Sequence, residues 1–253
     1  MKGTVILNEG CVLNYTPHCI NSQIQKICYH YKNSLNSKVT MNEKVNNFSL
    51  SEEIWHAITH GLGLLLSIIA LVVLVAFASL GGETFNIIIA SIYGTSLLVM
   101  YGSSTFYHAV THIKIKQLLQ KFDHSAIYFL IAGTYTPVVL LSVGGVYGWS
   151  IFAFEWALAF FGIYLKFRYP NRFEMFSLIA YVVMGWIIVL VISILKANID
   201  PIGFWLIVAG GLAYSGGVVF YIKDHIDYYH AIWHIFVLVG SILQFFAIAL
   251  YII

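Results

Sequence analysis

The sequence predicts an all-α integral membrane protein, a bundle of seven transmembrane helices. Three observations carry that prediction. Of the 253 residues, 60% are hydrophobic and only 9% are charged, against about 25% charged in a typical soluble domain. The mean hydropathy is +0.83, and the apolar residues gather into runs that reach the roughly 20 residues a bilayer core demands of a helix. Short polar or Gly/Pro breaks separate the runs, as expected where each span must satisfy its own backbone hydrogen bonds in lipid.

Residues 1–50 are polar, Asn-rich and without sustained periodicity, and are expected to form a disordered tail ahead of a membrane domain at 51–253. They carry no apolar core leading to a small-residue cleavage site, so no signal peptide is expected. Met41 is an alternative start, because MNEKVNNFSLSEEIW leads straight into the first apolar run. All three cysteines, Cys11, Cys19 and Cys28, lie in this tail. Their odd count and the lack of a CxxC spacing give no disulfide framework. The irregular spacing of His18, Cys19, Cys28 and His30 also argues against a metal site there.

The spans are expected at about 54–79, 85–110, 123–142, 147–166, 174–195, 202–222 and 230–252. Ser51, followed by Glu52 and Glu53, reads as the N-cap of the first, with acidic residues favourable in its first turn. Gly81-Gly82 and Gly144-Gly145 close the first and third spans, Tyr169-Pro170-Asn171 separates the fourth from the fifth, and Pro201 follows the fifth. Asp123 opens the third, where a carboxylate also suits a helix N-terminus. Trp149, Tyr169, Trp205 and Tyr229, near span ends, fit interface anchors.

Orientation follows from the basic residues. Twelve of the thirteen Lys and Arg fall in the tail or in loops after spans two, four and six, leaving only Lys196 on the opposite side. Without the residues before Met41 the ratio is still eight to one. The positive-inside rule then predicts a cytoplasmic N-terminus and an external C-terminus in the plasma (inner) membrane. That is opposite to seven-helix receptors with an external N-terminus, and span seven has no lysine for a retinal-like Schiff base. A net charge of +2 is too small to argue for a nucleic-acid partner, and membrane lipid is the natural partner of basic residues beside spans.

The chemistry concentrates where span seven begins. His230 and His234 are four residues apart, so a helix brings both imidazoles to one face, about 40° apart with roughly 6 Å of rise. Ser104 and His108 repeat that spacing at the end of span two. In the predicted topology Glu53, His56, His60, Ser104, His108, Asp123, His124, His230 and His234 all fall at one membrane edge. Ionisable groups at membrane depth cost about 2.5–3.5 kcal/mol each and normally have partners. Three imidazoles, a carboxylate and a hydroxyl are the inventory of a zinc site with an open position. His124 points about 100° away from Asp123 on a helix and is left out. Glu155, near the middle of span four, must be protonated or partnered, and no partner is legible in the sequence.

These residues also carry a resemblance. Glu53-x2-His56-x3-His60, Ser104-x3-His108 with Asp123 downstream, and His230-x3-His234 resemble the three ordered motifs of the haemolysin III and progestin and adipoQ receptor family, from about residue 52 to the end. THGLG at Thr59–Gly63 and FDHSAIYFLIAGTYTP at Phe122–Pro137 are similar to its bacterial haemolysin III branch. His56 departs from the pattern, which usually has Asn there. The resemblance implies zinc held by His108, His230 and His234, with Asp123 and Ser104 around a metal-bound water. Glu53 and His60 are expected to support the ligands by hydrogen bonds, with His60 as an alternative fourth ligand. The implied activity is zinc-dependent hydrolysis of a lipid amide or ester bond, since some family members are proposed to cleave ceramide-like amides. Two alternatives stand beside it: a channel-forming cytolysin, as the haemolysin name implies, and a membrane-homeostasis sensor with structural zinc.

Overall fold

The computed structural model describes residues 3–7, 11–15, 48–170 and 172–253. The chain divides into two units, 1–47 and 48–253. In the first, strand β1 (Gly3–Leu7) pairs antiparallel with β2 (Cys11–Tyr15), Val5 opposite Leu13. Those ten residues are rich in β-branched and apolar types. The remainder of the tail, with His18, Cys19, Cys28, His30 and Met41, lies outside the described residues.

The second unit is the membrane domain. Seven helical spans are long and apolar enough to cross a bilayer: Leu50–Leu80, Thr84–Ala109, Ile113–Val143, Gly145–Arg168, Glu174–Asn198, Pro201–Ile222 and Tyr229–Tyr251. Span one packs on spans two and seven, two on three, three on four, and six on seven. The protein is therefore a multi-pass membrane bundle.

Two element starts differ from the sequence reading. The N-cap of span one is Ser49, not Ser51. A capping box needs Glu or Gln three residues on; Ser49 has Glu52 there and Ser51 has Ile54. The Ser49 side chain accepts from Glu52 N, and Glu52 Oε2 accepts from Ser49 N at 2.9 Å. The other Glu52 oxygen accepts from Tyr228 N at 3.0 Å, so one buried carboxylate ties the start of span one to the start of span seven. Span three begins at Ile113, ten residues before the expected 123. Its first turns, IKIKQLLQKF, have helical periodicity but too many polar residues to register as an apolar run. Asp123 thus lies roughly three turns inside the helix and cannot cap it; His112 is the N-cap.

Span five is broken. Its α-helical part ends at Trp186, a tight 3-10 turn runs over Ile187–Val191, and the helix resumes at Ile192. A broken helix in lipid needs other partners for its backbone groups. Tyr135 supplies them, its hydroxyl donating to Gly185 O at 3.0 Å and accepting from Ile188 N at 3.0 Å. The glycine-terminated turns stand as expected, with Gly82, Gly144 and Gly145 all at positive φ.

The buried face of span one is a single stripe of Glu52, His56, His60, Gly63, Ser67, Ala70, Leu74 and Ala78. Its three- and four-residue steps give one helix face, apolar along most of its length and ionisable only in its first turns. At Gly63 the stripe admits the ring of Tyr101, which would collide with any Cβ placed there. Tyr101 in turn donates to Ser241 Oγ at 2.7 Å, locking spans one, two and seven together just below the polar layer.

Candidate functional site

Helix ends of spans one, two, three and seven meet at one edge of the bundle. Buried there are Glu52, His56, His60, His108, Lys116, Asp123 and His234, while Lys166 is buried at the end of span four and Glu155 within it. The ligand atoms of His108, His230 and His234 all fall within 4.8 Å of one another, close enough to hold one metal ion. Two more imidazoles of span one, His56 and His60, enter the same cluster. Ring centres of His56 stand 4.7 Å from His108, 4.8 Å from His230 and 5.2 Å from His234. His60 stacks on His234 at 3.5 Å. Phe48 covers the group, its ring 4.7 Å from His56 and 4.8 Å from His230.

The hydrogen bonds around the cluster test whether it suits a metal. His108 Nδ1 meets Glu53 Oε2 at 2.7 Å, while its buried Nε2 has no partner. His234 Nδ1 meets Thr59 Oγ1 at 3.1 Å. The Thr59 hydroxyl proton is directed to the carbonyls of Trp55 and His56, so Thr59 accepts from His234 Nδ1–H. In both rings one nitrogen is held and the other is left with a free lone pair, the pattern of metal-ligating histidines with oriented tautomers. His230 Nδ1 is buried and unpaired. Unpaired buried nitrogens cost desolvation energy unless something binds them. The residues fit an imidazole-seeking ion.

Glu53 is itself anchored. Its Oε1 pairs with Lys116 Nζ at 3.0 Å. That lysine, only 3% exposed, also donates to Tyr107 O at 3.0 Å and Val110 O at 3.3 Å and lies over the Tyr107 ring. A chain Lys116–Glu53–His108 therefore runs from the first turn of span three into the cluster.

The sequence-predicted residues sort as follows. His108, His230 and His234 come together, Glu53 supports His108, and Ser104 and Asp123 are buried in the same layer. Asp123 lies beside Ser104 and within the field of Glu53 and Lys116, although the Ser104 hydroxyl makes no hydrogen bond of good geometry. His60 donates no hydrogen bond; both its ring nitrogens are unpaired, and its contact with the site is the stack on His234. His124 points to Glu174, 3.7 Å away, outside the cluster as expected. Glu155 is fully buried with both carboxyl oxygens unpaired.

Comparison with known proteins agrees with this architecture. A family model described as haemolysin-III related matches residues 48–245. The chain belongs to the haemolysin III-related family. It is 46% identical over 204 residues to a hemolysin-3 homolog of Bacillus subtilis (strain 168), covering 81% of this chain and 96% of that protein. Hemolysin-3 of Bacillus cereus is 42% identical over 214 residues, 84% of this chain and 98% of its own length. The monocyte to macrophage differentiation factor of Homo sapiens is 32% identical over 175 residues, 67% of this chain and 72% of that protein, which supports membership of the progestin and adipoQ receptor superfamily.

Four residues of this haemolysin III protein escaped sequence reasoning. Thr59 and Lys116 orient His234 and Glu53 through hydrogen bonds that no spacing announces. Phe48 precedes the first helix and looks like tail. Glu52, one step along the chain from Glu53, binds the backbone of Tyr228 instead of a ligand. Their one legible signal is Glu52 in the capping-box position after Ser49.

Proposed function

We propose that this haemolysin III protein holds one zinc ion at the cytosolic edge of the bundle and hydrolyses amide or ester bonds of membrane lipids there. The cytosolic assignment, and with it an external C-terminus, rests on the distribution of Lys and Arg, seven of the eight among the described residues falling on the side of this edge. The observation that carries the reading is the convergence of His108, His230 and His234 with nitrogens free to ligate. Bound zinc supplies Lewis acidity toward an acyl carbonyl and lowers the pKa of water.

The protein's own groups do the rest. Glu53, held by Lys116, and Thr59 keep two of the imidazoles in a ligating tautomer. Asp123 is the group to take the proton of the attacking water and return it to the leaving amine or alcohol. Water adds to the acyl carbon, the C–N or C–O bond breaks, and a fatty acid leaves with the amine or alcohol. Ser104, unpaired beside Asp123, is available to hydrogen-bond the carboxyl or a substrate oxygen. An apolar cavity of about 110 Å³ opens among the spans deeper than the cluster, lined by Leu130, Thr134, Trp186, Tyr214, Trp233 and Gln244 among others. Its walls suit an acyl chain whose polar end lies at the edge.

The test is fatty-acid release from long-chain amides and esters by purified protein, removed by chelation and restored by zinc. No release while the metal stays bound would overturn the hydrolase reading. The sensor with structural zinc is favoured by one observation, the crowding of His56 and His60 into the cluster. A conducting pore, suggested by the names of the bacterial relatives, needs polar lining through the full depth. The buried ionisable groups described here, Glu155 apart, sit at one edge.

A further inference from the structure

We infer that His56 is a fourth ligand, so that the resting ion is held by four imidazoles, His56, His108, His230 and His234, and the position a hydrolase needs opens only when His56 swings away. The inference rests on the reading that a metal occupies the three-histidine group, and goes beyond it in the composition and state of the shell.

Four imidazoles on one tetrahedral ion, with metal–nitrogen bonds of roughly 2.0–2.1 Å, have ring centres roughly 5 Å apart in every pair. The three pairs made by His56 measure 4.7, 4.8 and 5.2 Å. The other three, His108–His230, His108–His234 and His230–His234, measure 5.5, 5.2 and 4.8 Å. The four rings thus mark the corners of a nearly regular tetrahedron. The ring planes of His56 and its three neighbours are inclined by 58° to 68°, so they can intersect at a common point, as ligands of one ion require.

His56 is held in a state that calls for a ligand. It is 0% exposed, and neither ring nitrogen has a hydrogen-bond partner. An imidazole buried without any partner carries an uncompensated desolvation cost. A shared ion removes that cost and needs no other residue to move in. His56 also forms a second potential ligand group with Glu53 and His108, so His108 belongs to both groups. The set of His108, His230 and His234 closes without a His56 nitrogen within the same 4.8 Å limit. Completing the shell therefore asks His56 to turn its ring about the Cβ–Cγ bond while its helix stays in place.

His60 is equally buried, but its ring lies nearly parallel to His234, 14° and 3.5 Å apart. A ligated ion lies close to the plane of each imidazole that binds it. Planes inclined by only 14° with centres stacked 3.5 Å apart meet far from both rings, well beyond a metal–nitrogen bond of roughly 2.0–2.1 Å, so His60 and His234 as placed cannot bind the same ion, and the fourth position falls to His56.

Zinc K-edge X-ray absorption on the full-length protein, purified in detergent and loaded with one equivalent of zinc, counts the imidazoles directly. Four are expected in the wild type. In His56→Asn the count falls to three with one oxygen, and zinc is lost to a chelator at least about tenfold faster, since even outer partners of ligands are worth 10–100-fold in affinity. His60→Asn keeps four. Three imidazoles and an oxygen in the wild type, where no substitution disturbs folding, would overturn the inference and leave the three-histidine site standing. Failure of the wild type to hold zinc at all would overturn the metal reading and this inference with it.

Discussion

Replacing Glu53 by Gln separates the site's support from its ligands. Glu53 accepts from two donors at once, His108 Nδ1 at 2.7 Å and Lys116 Nζ at 3.0 Å, with its side chain 12% exposed. Gln keeps the shape but offers one acceptor and one donor, so its amide must turn its NH₂ toward His108 or Lys116. Removing one member of a buried pair generally costs 3–5 kcal/mol. Lys116 keeps its two carbonyl acceptors, which places the stability loss at the lower end, about 3 kcal/mol. For the ion, losing the carboxylate behind a ligating histidine predicts a 10–100-fold weaker affinity, or about 1.4–2.7 kcal/mol. Competition titration against a chromophoric chelator measures the second quantity, and thermal unfolding in detergent the first. Lys116→Met supplies the other corner of a double-mutant cycle, with a coupling of the order of 0.5–3 kcal/mol for groups in one network. Zinc affinity within twofold of wild type in Glu53→Gln, or additive single mutants, would refute the Lys116–Glu53–His108 chain.

Three further outcomes follow from the same contacts. Thr59→Val keeps the shape but removes the oxygen 3.1 Å from His234 Nδ1; zinc binding should weaken by roughly tenfold, measured by the same titration. Gly63→Ala forces a Cβ into the Tyr101 ring and should destabilise by about 1–3 kcal/mol, read as a lower thermal midpoint. An unchanged midpoint would show that spans one and two do not pack there as described. Tyr135→Phe strands Gly185 O and Ile188 N at a cost of about 1–3 kcal/mol, which faster amide exchange around Ile188 would report.

Much of this molecule is legible in one dimension because lipid makes strong demands on sequence. Seven apolar runs, with glycine and proline at their ends, announce the seven spans, six of them to within a few residues at both ends. The alternation of edges that seven spans impose then collects Glu53, Ser104, His108, Asp123, His230 and His234 at one level. The failures have physical causes too. Span three starts early because its amphipathic opening, Ile113 to Phe122, is paid for by contacts and not by hydropathy: Lys116 reaches back to Glu53 and two carbonyls. Ser51 reads as a cap until the reciprocal bond between Ser49 and Glu52 is seen. The place of His56 among four rings, and the stacking that sets His60 aside, depend on the rotation of span one about its own axis. That rotation is set by Gly63 meeting Tyr101 and by Glu52 meeting Tyr228, contacts between residues far apart in the chain.

The central claim is that histidines from spans two and seven grip one ion. Metal analysis of untagged, purified protein beside His234→Ala tests it most directly. The account predicts near one equivalent of zinc in the wild type and a small fraction of that in the variant, because losing a ligand from a shell this small is severe. Equal zinc content in the two proteins, or none in either, would contradict it.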